Sequence, residues 1–75
     1  MTDTIRATVA AALRAEMARQ QIDQRTLAAR VGKSQTWVQK RTSARVTCDV
    51  VDLAILAEAL GVPLASFLPA PERVA

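Results

Sequence analysis

The 75-residue sequence contains no histidine and a single cysteine, Cys48. Histidine and cysteine are the commonest ligands of protein-bound zinc, and histidine is the usual proton-transfer group near neutral pH. A disulfide within the chain and a cysteine-based zinc site are therefore excluded. Because a glycine-rich phosphate loop and recognisably spaced carboxylate pairs are also missing, we expect no enzymatic activity, no metal and no cofactor.

Aromatic residues, glycines and long apolar runs are equally scarce. Trp37 and Phe67 are the only aromatic residues, and no stretch approaches the roughly 20 apolar residues of a membrane-spanning helix. Hydrophobic residues nevertheless make up 51% of the chain, most of them Ala, Val, Leu or Ile, which favours an all-α domain of short, closely packed helices. The early Asp3 is atypical of a secretory signal, so we expect a cytoplasmic location in a bacterium, or in the host of a phage.

Apolar spacings of three and four residues, together with capping residues, predict five helices in one domain, 1–68, followed by a flexible tail, 69–75. The predicted helices are 3–19, 24–31, 35–43, 50–60 and a short turn at 64–68. The side chains expected to face the core are Ile5, Val9, Ala12, Leu13, Met17, Leu27, Ala28, Val31, Val38, Val50, Leu53, Ala54, Leu56, Ala57 and Leu60.

Local signals mark the ends of these helices. Asp23, Ser34 and Asp49 are N-cap candidates, and Asp3 is either an N-cap or an acidic residue of the first turn. Asp52 follows Asp49 at the spacing of a capping box. Gly32 and Gly61 stand where a helix often ends with a positive φ. The second and third helices are thus joined by only three residues, 32–34, which is the dimension of a helix-turn-helix.

Charge is segregated along the chain, although the formal net charge is only +3. The segment 24–48 contains basic residues and no acidic residue, whereas 49–72 contains acidic residues and no Lys or Arg. The basic residues are Arg25, Arg30, Lys33, Lys40, Arg41 and Arg45. This segregation favours a surface that binds a polyanion over a uniformly solvated surface.

The third predicted helix carries side chains suited to DNA. Gln35, Thr36, Gln39 and Lys40 are expected to face outward, while Val38 holds the helix to the core. Gln can bind adenine in bidentate fashion, Lys can donate to guanine, and a threonine methyl can contact thymine in the major groove. We therefore predict that these four residues read base edges of double-stranded DNA.

Two segments together resemble the lambda-repressor and Cro-like (XRE-type) helix-turn-helix family. They are Asp23-Gln24-x-x-Leu27-Ala28-x-x-Val31-Gly32-x-Ser34-Gln35-x-x-Val38 and Leu53-x-x-Leu56-Ala57-Glu58-Ala59-Leu60-Gly61-Val62. The resemblance covers about 9–68 and implies a five-helix fold, a third helix in the major groove and a role in transcriptional control. It implies that Gln24 donates to a DNA phosphate. We add as candidate backbone contacts Lys33, Ser34, Trp37, Arg41 and Arg45.

The sequence departs from this family at the end of the third helix. Many members have an apolar residue followed by Glu, then a glycine, where this chain has Arg41-Thr42 and Ala44. Arg41 can accordingly reach either a phosphate or the fourth helix. Trp37 can either fill space between the third and fourth helices or lie against the DNA backbone. The Trp37-x-x-x-Arg41 variant is similar to actinobacterial and phage versions of the fold.

A weak homodimer on a palindromic or pseudo-palindromic operator is expected, since one such module contacts about half an operator. The predicted interface is an apolar patch made of Val51, Ile55, Ala59, Val62 and Phe67. The function predicted is a small repressor, without a small-molecule ligand. The alternatives are an antitoxin-type autoregulator and a helical protein-interaction adaptor that does not bind DNA.

Overall fold

The first helix, α1, spans Thr2–Gln20 and supplies one wall of the core. The computed structural model describes the backbone of residues 2–68 and the side chains from Thr4 onward, so the predicted tail at 69–75 lies outside the described residues. Because α1 begins at Thr2, Asp3 lies within its first turn and not at the predicted N-cap position, and its side chain is not among those described. The buried residues of α1 are Val9, Ala10, Leu13 and Met17. Ile5 was expected in the same stripe but is 49% exposed, because it lies more than a turn beyond the last covered residue.

The second and third helices form the predicted helix-turn-helix. Helix α2 spans Gln24–Val31 and α3 spans Gln35–Thr42. Asp23 caps α2 by accepting a 2.8 Å hydrogen bond from the Thr26 amide, and Ser34 caps α3 in the same way through Trp37. Gly32 ends α2 with a φ of 72°. The turn geometry thus follows from local capping chemistry.

Helix α4 spans Val50–Leu60 and begins with the predicted capping box between Asp49 and Asp52. Its buried face consists of Leu53, Leu56, Ala57 and Leu60. Val50 and Ala54 were predicted to face the core and do not, since Val50 is 72% exposed and Ala54 is also exposed. Both lie on the side of α4 away from Leu56, where no other described element covers them.

The predicted fifth helix is a single 3-10 turn, Leu64–Phe67, so the described residues contain four α-helices and no strand. The turn packs on α1 and α4 and carries Phe67 into the core, where it is 1% exposed. The prediction that Phe67 belongs to an exposed dimer patch is therefore wrong. The short turn after Pro63 directs the large apolar ring of Phe67 into the core, where its burial is favourable.

All five elements contribute to one core. The largest fully buried side chains come one from each element: Leu13, Leu27, Val38, Leu56 and Phe67. Val31 and Ala12 pack at the margin of this cluster and are partly buried. Within 2–68, no helix combines the length and apolar character that crossing a bilayer requires.

Candidate nucleic-acid interface

The outer face of α3 carries the four predicted base-reading side chains. Gln35, Thr36, Gln39 and Lys40 are all exposed, whereas Val38 is fully buried. The face has no acidic residue, because none occurs between Gln24 and Cys48. The structure therefore brings these donors and acceptors together on one accessible helical surface, as the sequence predicts.

Exposed cations stand at both ends of α3. Lys33 precedes the helix in the turn, and Arg45 follows it in the loop; both are exposed. Ser34, also exposed, is already engaged as the N-cap acceptor of the Trp37 amide. Arg25 on α2 is exposed, while Arg30 donates to the Ala59 carbonyl on α4 at 3.3 Å. The cations closest to α3 in the chain are thus those best placed to bind phosphates on either side of it.

Gln24 links the start of α2 to the end of α3. Its Nε2 donates to the Thr42 hydroxyl at 3.2 Å, and that hydroxyl in turn donates to the Gln39 carbonyl at 3.2 Å. Thr42 is 3% exposed and is the one buried polar residue among those described. One Nε2 proton of Gln24 is used inside the protein, and the amide group has a second proton for an external acceptor.

Trp37 is partly buried and packs against the core cluster. Two cations lie near its ring, one from four residues before it and one from four residues after it. Lys33 Nζ lies 5.8 Å from the ring centroid, and the Arg41 guanidinium carbon lies 3.9 Å from it. Such distances are those of cation–π contacts. Of the two alternatives for Trp37, packing against the core is thus present, while its partial exposure leaves a contact with the DNA backbone a prediction.

Arg41 reaches the fourth helix, which was one of its two predicted destinations. Its Nε donates to Asp52 Oδ2 at 3.2 Å, and a terminal nitrogen donates to the Trp37 carbonyl at 3.0 Å. The side chains of Arg41 and Asp52 are only 15% and 16% exposed. The prediction of Arg41 as a DNA-backbone contact is thus not supported by its position, because its guanidinium is committed to partners within the protein.

Arg14 is a residue of this region that the sequence analysis missed. From α1 it donates to the carbonyl oxygen of Thr42, near the end of α3. A cation at this place also complements the negative end of the α3 dipole. The spacing of residues in α1 does not distinguish Arg14 from its neighbours. The one signal in the sequence was Thr42, which stands where many members of the resembled family have Glu.

Ala44 adopts the left-handed conformation that a glycine would favour, with a φ of 62°. The amide of Arg45 then bonds to the Lys40 carbonyl at 2.9 Å, and the amide of Val46 bonds to the same carbonyl at 3.3 Å. These bonds close α3 in the manner of a glycine C-cap. Ala44, at the position where many members of the resembled family have glycine, therefore adopts the glycine-type loop conformation at the expense of backbone strain.

Cys48 lies in the loop before α4 and is partly buried. Burial raises the pKa of its thiol, although the nearby Arg41 has the opposite influence. The thiol is therefore protonated near neutral pH and poorly nucleophilic.

No family model and no curated protein matches the sequence. A solved structure does match it: the crystal structure of a hypothetical transcription factor, NHTF, from Neisseria. The sequences are 27% identical, and the TM-score is 0.82 over 89% of this chain and 77% of the other. This chain is therefore similar in fold to a protein described as a transcription factor, which is the general class that the sequence predicts.

Proposed function

We propose that this protein is a sequence-specific DNA-binding transcriptional regulator that inserts α3 into the major groove. The observation that carries the proposal is the acid-free outer face of α3, where Gln35, Thr36, Gln39 and Lys40 are all exposed. The similarity in fold to the hypothetical transcription factor from Neisseria supports it. The sequence resemblance to the lambda-repressor and Cro-like family favours the same proposal. Since the chain has no histidine, the proposal includes no catalytic step.

The dimensions of α3 suit the groove. An α-helix with its side chains is about 10–12 Å across, and the major groove is about 12 Å wide, so the eight-residue α3 can lie in it. The capped N-terminus of the helix emerges from the turn, so its first residues, Gln35 and Thr36, would approach the bases first. Lys40 lies more than one turn further along and would contact a different base pair.

Phosphate contacts would flank the helix. Lys33 and Arg45 are exposed at its two ends, and the second amide proton of Gln24 is available for a phosphate oxygen. The Ser34 hydroxyl can donate outward while its oxygen accepts from Trp37, and the indole N–H of Trp37 can donate from a partly exposed ring. Such contacts fix the position of a protein on DNA without reading sequence.

The apolar surface of α4 supports dimerisation. Val51 is 65% exposed, and Ile55, one turn further along α4, is partly exposed. Val50, directly before Val51 in the chain, is also exposed. Ala59 and Val62 are partly buried at the edge of the core and could contribute their outer surfaces. A second copy docked here would give a weak homodimer on a palindromic operator. Sedimentation as a monomer at high micromolar concentration, with and without DNA, would reject this part of the proposal.

We propose repression as the output, since a dimer seated on an operator obstructs other proteins by occupying the DNA. Selection of bound duplexes from a random 20-base-pair pool provides the direct test. The expected result is an enriched palindrome or half-site. An unenriched pool, together with no binding of any duplex at low salt, would contradict DNA binding and would favour a protein-interaction role.

Variants of α3 then test the reading surface. Gln35→Ala and Lys40→Ala should each lower affinity for the selected duplex by roughly 1–3 kcal/mol and relax preference at one position. The matched control for Lys40→Ala is Arg19→Gln, which likewise removes one positive charge from an exposed residue. Arg19 forms an ion pair with Glu16, and the adjacent Gln20 donates a hydrogen bond to the Leu60 carbonyl. Arg19 therefore lies beside the end of α4 and not on the outer face of α3. Unchanged preference in both α3 variants would show that α3 does not read the bases.

A further inference from the structure

Helix α3 has little apolar surface with which to hold its orientation. Its buried residues are Val38 and Thr42, and only Val38 supplies a fully buried apolar side chain. The backbone of α3 packs on α1 and α2, whereas no comparably close approach to α4 occurs among the described elements. Side chains that reach α4 from α3 can therefore restrict the rotation of α3 about its own axis in addition to its contacts with α1 and α2.

Arg41 reaches from α3 to α4. It lies one turn after Trp37 on the same side of α3, and its guanidinium both stacks on the indole ring and donates to the Trp37 carbonyl. Its remaining polar contact is the ion pair with Asp52 on α4. Because both side chains of the ion pair are largely shielded from water, their interaction is screened less than that of a surface pair.

Asp52 is itself held in place by the start of α4. Its Oδ2 accepts from the Asp49 amide at 3.4 Å, while the Asp52 amide donates to Asp49 Oδ1 at 2.7 Å. The carboxylate that receives Arg41 is thus part of a capping box at the positive end of a helix dipole. A rigid acceptor of this kind can fix the position of the side chain that donates to it.

We infer that Arg41 and Asp52 form a positioning pair that sets the orientation of α3 for DNA reading, and that Arg41 is not a phosphate ligand. The inference rests on the proposed function and deepens it. The pair fixes α3 against α4, while the Arg14 hydrogen bond to Thr42 holds the end of α3 against α1. Loss of either partner in the pair should therefore misplace the reading side chains without removing a DNA contact.

The Asp52→Asn variant provides a test, because the competing explanations predict opposite changes in its affinity for DNA. If Asp52 were only a negative charge near the DNA, its neutralisation would strengthen binding. If it positions Arg41, the same change should weaken binding to the duplex selected by the wild type by about tenfold or more, comparable with the loss of a base contact. Asparagine retains an acceptor for the Asp49 amide, so the α4 cap is preserved. The matched control is Asp49→Asn, which removes the same charge three residues earlier and keeps a capping acceptor.

The salt dependence of binding tests the role of Arg41. Arg41→Gln should weaken binding to the selected duplex, leave binding to a scrambled duplex within about twofold, and leave the slope of log K against log salt unchanged. A phosphate contact would instead lower that slope by about 0.9 and weaken both duplexes alike. The two substitutions break the same interaction, so their effects should not add. The double variant Arg41→Gln/Asp52→Asn should therefore bind the selected duplex about as tightly as the single variant with the lower affinity.

Trp37 fluorescence provides a readout that does not depend on DNA. Trp37 is the single tryptophan and the chain has no tyrosine, so the emission reports on this ring alone. Acrylamide quenching should increase in Asp52→Asn and Arg41→Gln and stay unchanged in Asp49→Asn. If Arg41→Gln does not fold, Asp52→Asn decides the question alone through its sign.

The outcomes separate this inference from the proposed function. Failure of the wild type to bind any duplex rejects the proposed function, and the positioning role with it. Binding by the wild type combined with tighter binding by Asp52→Asn, or with a reduced salt slope in Arg41→Gln, overturns the positioning role and leaves the proposed function standing. Weaker operator binding in both variants, at an unchanged slope and with increased quenching, supports it.

Discussion

Substitution of Ala44 by glycine should stabilise the protein. Ala44 has a φ of 62°, in a region where a non-glycine residue costs roughly 1–2 kcal/mol. Glycine relieves that strain but gives the unfolded chain more conformational freedom, which offsets about 0.4–1 kcal/mol. The partly buried Ala44 methyl group also loses some packing, by less than about 0.5 kcal/mol. The expected net gain is about 0.5 kcal/mol, or roughly 2–4 °C in Tm for a domain of this size.

The reverse change at Gly61 calibrates this prediction. Gly61 has a φ of 68°, and a Cβ built there would meet no atom within 4 Å. Gly61→Ala therefore measures the cost of alanine in this backbone conformation without a steric contribution, and we expect a loss of about 1 kcal/mol. Thermal unfolding followed by circular dichroism gives both values. A lower Tm for Ala44→Gly than for the wild type, alongside the expected loss at Gly61, would refute the assignment of strain to Ala44.

Three further predictions concern the core, the acid dependence of stability and the DNA backbone. Leu56→Ala should lower the free energy of unfolding by about 2–5 kcal/mol in urea titrations, because Leu56 is fully buried. The hydrogen bond from the Thr26 amide lowers the pKa of Asp23, so the stability from this carboxylate is fully present above its ordinary pKa of 3.8 and is lost as pH falls through the lower folded value. Asp23→Asn should remove that part of the acid dependence in unfolding curves measured between about pH 5 and 2. Arg45→Ala should weaken all duplexes similarly and lower the salt slope by about one.

Each of these predictions has a contrary outcome. A loss below about 1 kcal/mol for Leu56→Ala would mean that the core around it is loosely packed. Identical acid unfolding of Asp23→Asn and the wild type would show that the Asp23 cap makes no ionic contribution. A change in sequence preference for Arg45→Ala would place this side chain at the bases rather than at phosphates.

Helix ends were predictable from the sequence because capping is local. Asp23, Ser34 and Asp49 each bond to an amide three residues ahead, and Gly32 and Gly61 end helices through their own backbone freedom. The exposed outer face of α3 was predictable for a similar reason, since helical periodicity fixes which side chains lie opposite Val38.

The misjudged residues depend on contacts between elements distant in the chain. Ile5 and Val50 continue apolar stripes by spacing, but whether an apolar side chain is covered depends on where neighbouring elements end. Phe67 is buried because its turn folds back on α1, far away in sequence. The Arg41–Asp52 pair and the bond from Arg14 to Thr42 join residues 11 and 28 positions apart, and no periodicity reports such pairings.

The residues of α3 that pack against the protein are separate from those on its exposed outer face. The residues that hold α3 to the protein are Val38, Thr42, Trp37 and Arg41, whereas the four side chains on its outer face are exposed. Substitutions on the outer face should therefore alter the preferred DNA sequence with little effect on folding. Under the proposed function, a library randomised at these four positions should yield mostly folded proteins that prefer different DNA sequences.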